Sequence, residues 1–200
     1  MALNFAVNNS LSAVTALPAS ISGGGLNLIS TQTASSSSTI SFTSGIDSTY
    51  KEYIFKFINV HPATSDASFT FNMSVDGCSN YNVTKTTTTP RAYHDEADSE
   101  AAIEYYGGQD LAQSTSFQGI SRFLGNGNDE CGSGTLHIFD PSSTTFVKHF
   151  IAVANTYYSG DYSFNDFTAG YGNTTSAVNA VQFKFESGTF DGTIKLYGVT

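Results

Sequence analysis

Hydrophobic and polar positions alternate in two long runs of this chain. Phe69, Phe71, Met73 and Val75 take turns with Thr70, Asn72 and Ser74, and Val181, Phe183 and Phe185 take turns with Gln182, Lys184 and Glu186. Successive side chains of a strand point to opposite faces, so each run predicts a strand with one face buried and the other wetted. Leu136 with Ile138, and Ile194 with Leu196, carry the same pattern, and the stretch from Phe146 to Ala154 is apolar enough for a central strand. Asp76-Gly77, Asp140-Pro141, Ser159-Gly160 and Asp191-Gly192 fall between these runs, where turn-forming residues belong. The pattern predicts about nine or ten strands.

Two segments depart from the period of two. HDEADSEAAIEYY, from His94 to Tyr106, is rich in helix formers and carries its acids early, where a helix dipole favours them, so it predicts a short surface helix. The stretch from Gly107 to Gly134 is polar and broken by glycine, above all in GNGNDECGSG, and predicts a long loop excursion. The predicted fold is therefore all-β: an antiparallel β-sandwich, jelly-roll-like, with one long loop/helix insertion. The length of the chain favours a jelly roll over an immunoglobulin-like arrangement.

The N-terminal stretch reads differently. Leu3, Phe5 and Val7 alternate with polar or small residues, Leu11, Val14 and Leu17 recur at every third position until Pro18, and Gly23 to Gly25 form a hinge. The pattern predicts a docking arm over residues 1–25 ahead of a sandwich domain over 26–200, with those six apolar side chains as its partner-docking residues. The other reading of the same pattern is a strand on the sheet edge of its own domain.

Composition narrows the function. A chain of 200 residues is the size of one domain. Seventeen Asp and Glu against eight Lys and Arg give a net charge of -9, with no basic cluster, which speaks against nucleic acid as a partner. No run approaches the ~20 apolar residues of a membrane span, and the first residues lack the basic start and apolar centre of a secretory signal. Cys78 and Cys131 lie far apart and outside any CxxC pair, so they read as two independent thiols, a single bridge being the alternative.

Candidate chemistry is sparse. The chain has no GxSxG elbow and no HExxH, and His61, His94, His137 and His149 are scattered, the last two at the outward phase of predicted strands. His94, Asp95, Glu96, Asp98 and Glu100 form an acidic knot, but carboxylates on one exposed turn do not face each other across a cleft as glycoside hydrolysis requires. Asn126, Asn128, Asp129 and Glu130 offer hard oxygens for calcium without the order of an EF-hand loop, and read as Asx turns. Tyr105, Tyr106, Tyr157, Tyr158 and Tyr162 could stack on sugar or serve structure, the latter preferred in a chain without tryptophan. N-x-S/T triplets at Asn8, Asn72, Asn82 and Asn173 are expected by chance in so polar a chain. The reading is a protein with no catalytic residues, no cofactor and no metal.

TASSSSTISFTSGIDSTYKEYIFKFINVHPAT, the strand SFTFNMSVDG and the closing SGTFDGTIKLYGV together resemble small virion proteins of tailed bacteriophages, particularly marine ones, of the tail-fibre or capsid-appendage/decoration type. The likeness runs from about residue 28 to the end. Its motifs are scaffold motifs: Gly45 and Asp47 make a turn, while Tyr50, Phe55 and Phe57 feed the core. The resemblance implies a β-sandwich in the virion, with other capsid or tail proteins as partners, a homotrimeric state and contact with a host surface glycan. The implied role is an appendage or tail fibre, with capsid decoration as the alternative and a polysaccharide depolymerase as a distant one.

Overall fold

In the computed structural model, the structure describes residues 25–200. They form thirteen strands: β1 (Leu26–Ser37), β2 (Ile40–Phe42), β3 (Glu52–Pro62), β4 (Ala67–Ser74), β5 (Lys85–Thr88), β6 (Pro90–Asp95), β7 (Ala101–Tyr105), β8 (Gln118–Leu124), β9 (Gly132–Phe139), β10 (Lys148–Tyr158), β11 (Tyr162–Gly172), β12 (Ala180–Phe185) and β13 (Phe190–Val199). The arm and its residues Leu3, Phe5, Val7, Leu11, Val14 and Leu17 lie outside the described residues.

All the strands join one antiparallel sheet in the order β1-β13-β3-β9-β10-β8-β4-β12-β2, with β11 also on β10, β5 and β6 on β11, and β7 on β6. The link between β10 and β8 is the single pair Tyr158 and Leu124. The end strands β1 and β2 share no ladder, yet the Gln32 side-chain amide donates to the Ser41 carbonyl across the gap at 2.7 Å. The sheet thus curls into a nearly closed barrel whose interior is phenylalanine. Phe183 of β12 sits at its centre, with ring centroids 5.2 Å from Phe55, 5.7 Å from Phe69 and 6.2 Å from Phe42. The two alternating runs of the sequence lie side by side as β4 and β12, with Phe71 opposite Phe183 and Phe69 opposite Phe185.

The opening and closing motifs interlock. Gly45 has φ of 80°, a left-handed conformation suited to glycine. The Tyr53 hydroxyl accepts the Asp47 N–H at 3.0 Å and reaches the Asp47 carboxylate at 3.1 Å, closing the SGIDSTY turn. The Tyr50 ring lies against Gly198 so closely that no side chain fits there.

Four expectations need correction. The first concerns His94 to Tyr106, which is not a helix: β6 and β7 form a hairpin there. Asp95 accepts the N–H groups of Ser99 and Glu100 at 2.9 and 2.8 Å, which tightens a turn, and Asp98 at φ of 54° leaves the right-handed helical region. Second, the loop expected from Gly107 to Gly134 contains β8, a buried strand, and the start of β9. Third, the polar face of β4 is not wetted, because Ser68, Thr70, Asn72 and Ser74 are all buried. The Asn72 amide donates to the carbonyls of Tyr81 and Thr115 at 2.8 and 2.9 Å and accepts from Lys85 at 2.6 Å, Thr70 donates to the Lys184 carbonyl and Ser74 to Asp76, so three of the four are satisfied internally and the Ser68 hydroxyl is not. Fourth, Asp191-Gly192 is not a turn between strands but an irregularity within β13, where Gly192 has φ of 140°.

Candidate functional site

Register places an apolar surface on the outside of the sheet. One row across six strands reads Leu28, Tyr197, Ile54, His137, Ile151 and Ala169. The next row reads Leu26, Val199, Glu52, Phe139, His149 and Tyr171. On the other side lie Thr31, Lys195, Lys56, Thr135, Val153 and Phe167. Because alternate residues of these strands fill the barrel with Phe, Leu and Ile, the other phase points outward, where Ile54 is covered by its neighbours and much of the rest stays partly or fully exposed. Leu26, Leu28, Ile151 and Phe167 on these rows are exposed, as is Ile58 in the row beyond. Ile103 continues the face onto β7 through Asn165 and Ala92, and at 86% it is more exposed than the other large hydrophobic side chains described.

Two adjoining grooves crease this face. One, of about 500 Å³, is lined by Phe139, His149, Ile151 and Tyr171. The other, of about 530 Å³, shares Phe139 and His149 and adds Phe146, which is 69% exposed. Charge on the three rows is small: Lys56 and Lys195 against Glu52 leave +1. His137 Nδ1 lies 2.6 Å from the Glu52 carboxylate, and the Lys56 ammonium lies over the Tyr197 ring at 5.4 Å.

A third groove, of about 470 Å³, sits where the β6-β7 turn meets the β10-β11 hairpin, lined by His94, Asp95, Glu96, Asn155, Tyr157 and Tyr162 among others. Its polar groups are committed to one another. Ser99 Oγ also donates to Asp95, and these hydrogen bonds hold the Asp95 carboxyl below its ordinary range. The Tyr162 hydroxyl donates to Glu100 at 2.9 Å, which raises its pKa. Tyr157 is pushed up to about 12, first by burial and then by the charge of Glu96. A general acid working near neutral pH needs a raised carboxyl, and Asp95 is shifted the other way.

The structure thus gathers part of what the sequence singled out. His94, Asp95, Glu96, Tyr157 and Tyr162 share one groove, and His137 and His149 share the outer face. Tyr158 instead stacks on Phe164 at 5.1 Å, and Tyr106 lies under the guanidinium of Arg91 at 4.3 Å. The Glu130 carboxylate turns back to accept the Gly127 N–H of its own loop. Among the described residues no three His, Cys, Asp or Glu come together as a metal cage, and both thiols are free. Sequence reasoning missed the outer face, whose signal was available: Tyr53, Phe55 and Phe57 take turns with Ile54, Lys56 and Ile58, so apolar side chains occupy both phases of β3. It also missed the buried pair Arg122–Asp166. No family model, curated protein or solved structure matches the chain.

Proposed function

We propose that this chain is a non-enzymatic structural protein of a phage virion, an exposed appendage or tail-fibre-like component that works through its surfaces. The observation that carries the reading is the outer face, where exposed apolar side chains lie together on one side of the sheet, as at sites of protein association. The resemblance of the ISFTSGIDSTYKEY and IKLYGV motifs to virion proteins supplies the context. In finer detail the fold reads as a jelly-roll-like sandwich, β2-β12-β4-β8 packing on β13-β3-β9-β10, since one residue pair alone joins the two groups through β8 and β10. The groove holding Tyr157 and Tyr162 is where a host glycan would sit, with aromatic rings and a polar rim.

Capsid decoration is the second reading, favoured by the breadth of the apolar face. Quantitative mass spectrometry of purified particles tests both. A few copies per tail support the appendage, a number near that of the major capsid protein supports decoration, and absence from particles overturns the virion reading.

A further inference from the structure

We infer that the outer face is the contact between two copies of this chain, which pair through it isologously. The inference rests on the reading of this face as an assembly surface, and it names the partner. Size is the first argument. Six strands about 4.8 Å apart and three rows about 7 Å apart cover roughly 600 Å², and Ile58 and Phe146, exposed at its margins, widen the face toward the roughly 800 Å² that one partner of a stable interface contributes.

Charge is the second argument. The whole chain carries -9, so two copies repel each other over most of their surfaces. The three central rows carry only Lys56, Lys195 and Glu52, and Glu52 lies against His137. Asp140, which lines the second groove, is paired with Lys51 at 3.0 Å, so copies that meet on this face bring fewer unpaired acids together than they would elsewhere. A strongly basic partner would find little to pair with here, and an acidic one would meet two lysines at most.

Symmetry is the third argument. A patch that contains its own apolar ridges and grooves, Phe146 and Ile151 beside the creases at Phe139, His149 and Tyr171, can bury ridge in groove twice around a two-fold axis. Ile151, fifth of the six residues in its row, borders the first groove and is 47% exposed, so changing it does not disturb the barrel interior.

The test is the solution mass of the full-length protein by light scattering over a range of concentrations, for wild type and for Ile151→Lys. The wild type is expected at twice the chain mass. Ile151→Lys is expected at the chain mass, with an unchanged circular dichroism spectrum and a melt that stays cooperative but falls below that of the wild type and no longer depends on concentration. If Ile151→Lys fails to fold, Leu28→Lys, in the same row and 56% exposed, takes its place with the same expectation. A monomeric wild type, a trimer, or a dimer that survives a folded lysine variant overturns the pairing. None of those outcomes touches the virion reading, which stands or falls on the particle mass spectrometry alone.

Discussion

Asp166 holds Arg122 by main chain and side chain at once. One carboxylate oxygen accepts the Arg122 backbone N–H at 3.0 Å and the other accepts Nε at 2.8 Å, with both side chains wholly buried. The pair ties β8 to β11, and the Arg122 guanidinium also lies over the Tyr106 ring at 4.9 Å. Removing one partner strands the other charge away from water. Asp166→Asn is therefore expected to cost about 3 to 5 kcal/mol, whereas adding Arg122→Met to Asp166→Asn removes the stranded charge, leaves an amide oxygen for the backbone N–H of residue 122, and should recover most of that loss. Chemical denaturation of the three proteins checks the order.

Stability should also depend on pH through Lys85. Its ammonium is buried, donating to Asn72 Oδ1 and the Val83 carbonyl, and burial pushes its pKa down to about 7 from an ordinary 10.5. Between those values the unfolded chain holds the extra proton, so stability rises with pH; below about 7 both states are protonated and this contribution stays at its minimum. Burial raises the Tyr53 hydroxyl, so above about 10 the folded state keeps a proton that the unfolded state loses, and stability falls. Denaturation midpoints should climb from about pH 7 toward about 10 and then decline. Lys85→Met should lose most of the climb, the remainder belonging to Lys148, whose pKa burial also lowers.

The contact of Tyr50 with Gly198 predicts a local failure. A methyl group at Gly198 would overlap the ring, which packs at 5.7 Å from Tyr53. Gly198→Ala is expected to cost about 1 to 3 kcal/mol, read as a lowered melting temperature. Tyr50→Ala in the same background should recover part of that loss.

Asp95 separates a structural carboxylate from a catalytic one. Asp95→Ala, which frees the Ser99 and Glu100 N–H groups, should lower the melting temperature. Neither wild type nor variant is expected to release sugars from host polysaccharide or peptidoglycan. Turnover in the wild type that vanishes in the variant would reverse the non-enzymatic reading.

The arm is tested by removing residues 1–18. The truncated protein is expected to keep the circular dichroism and melt of the full chain, because the described core is complete from β1 to β13, and to be missing from assembled particles. Unfolding of the truncated protein would make the arm a strand of its own domain.

What could be read in the sequence followed how far each strand obeys a simple period. β4, β10, β12 and β13 announced themselves because Phe, Met, Val, Ile and Leu recur at alternate positions. β8 did not, since Arg122 occupies a buried position and Gly119 interrupts the run; Arg122 makes sense only once Asp166 arrives from β11, 44 residues away, and Gly119 only once Gln109 packs against it. β7 was mistaken for helix because Ala101, Ala102, Ile103 and Glu104 have good helix propensity, which pairing to β6 overrides. The groove of Asp95, Tyr157 and Tyr162 draws on distant segments, and no local pattern reports that meeting. The outer face was hidden by an assumption that one face of each strand must be polar.

None of the strands β1 to β4 pairs with another of the four; their partners are β8, β9, β12 and β13. On the ribosome, the segment from Leu26 to Ser74 therefore emerges as bare strand and must wait until residues near 190 have been made before β1 finds its ladder. At ordinary elongation rates of about 5 to 20 residues per second, that wait lasts roughly 5 to 25 seconds. During it Phe42 has Phe55, and Phe57 has Phe69, but these rings and Phe71 lack Phe150, Phe183 and Phe190, which complete their enclosure. Shelter of the nascent chain over that interval is therefore expected to raise the yield of folded protein, and refolding after dilution from denaturant is expected to be slow.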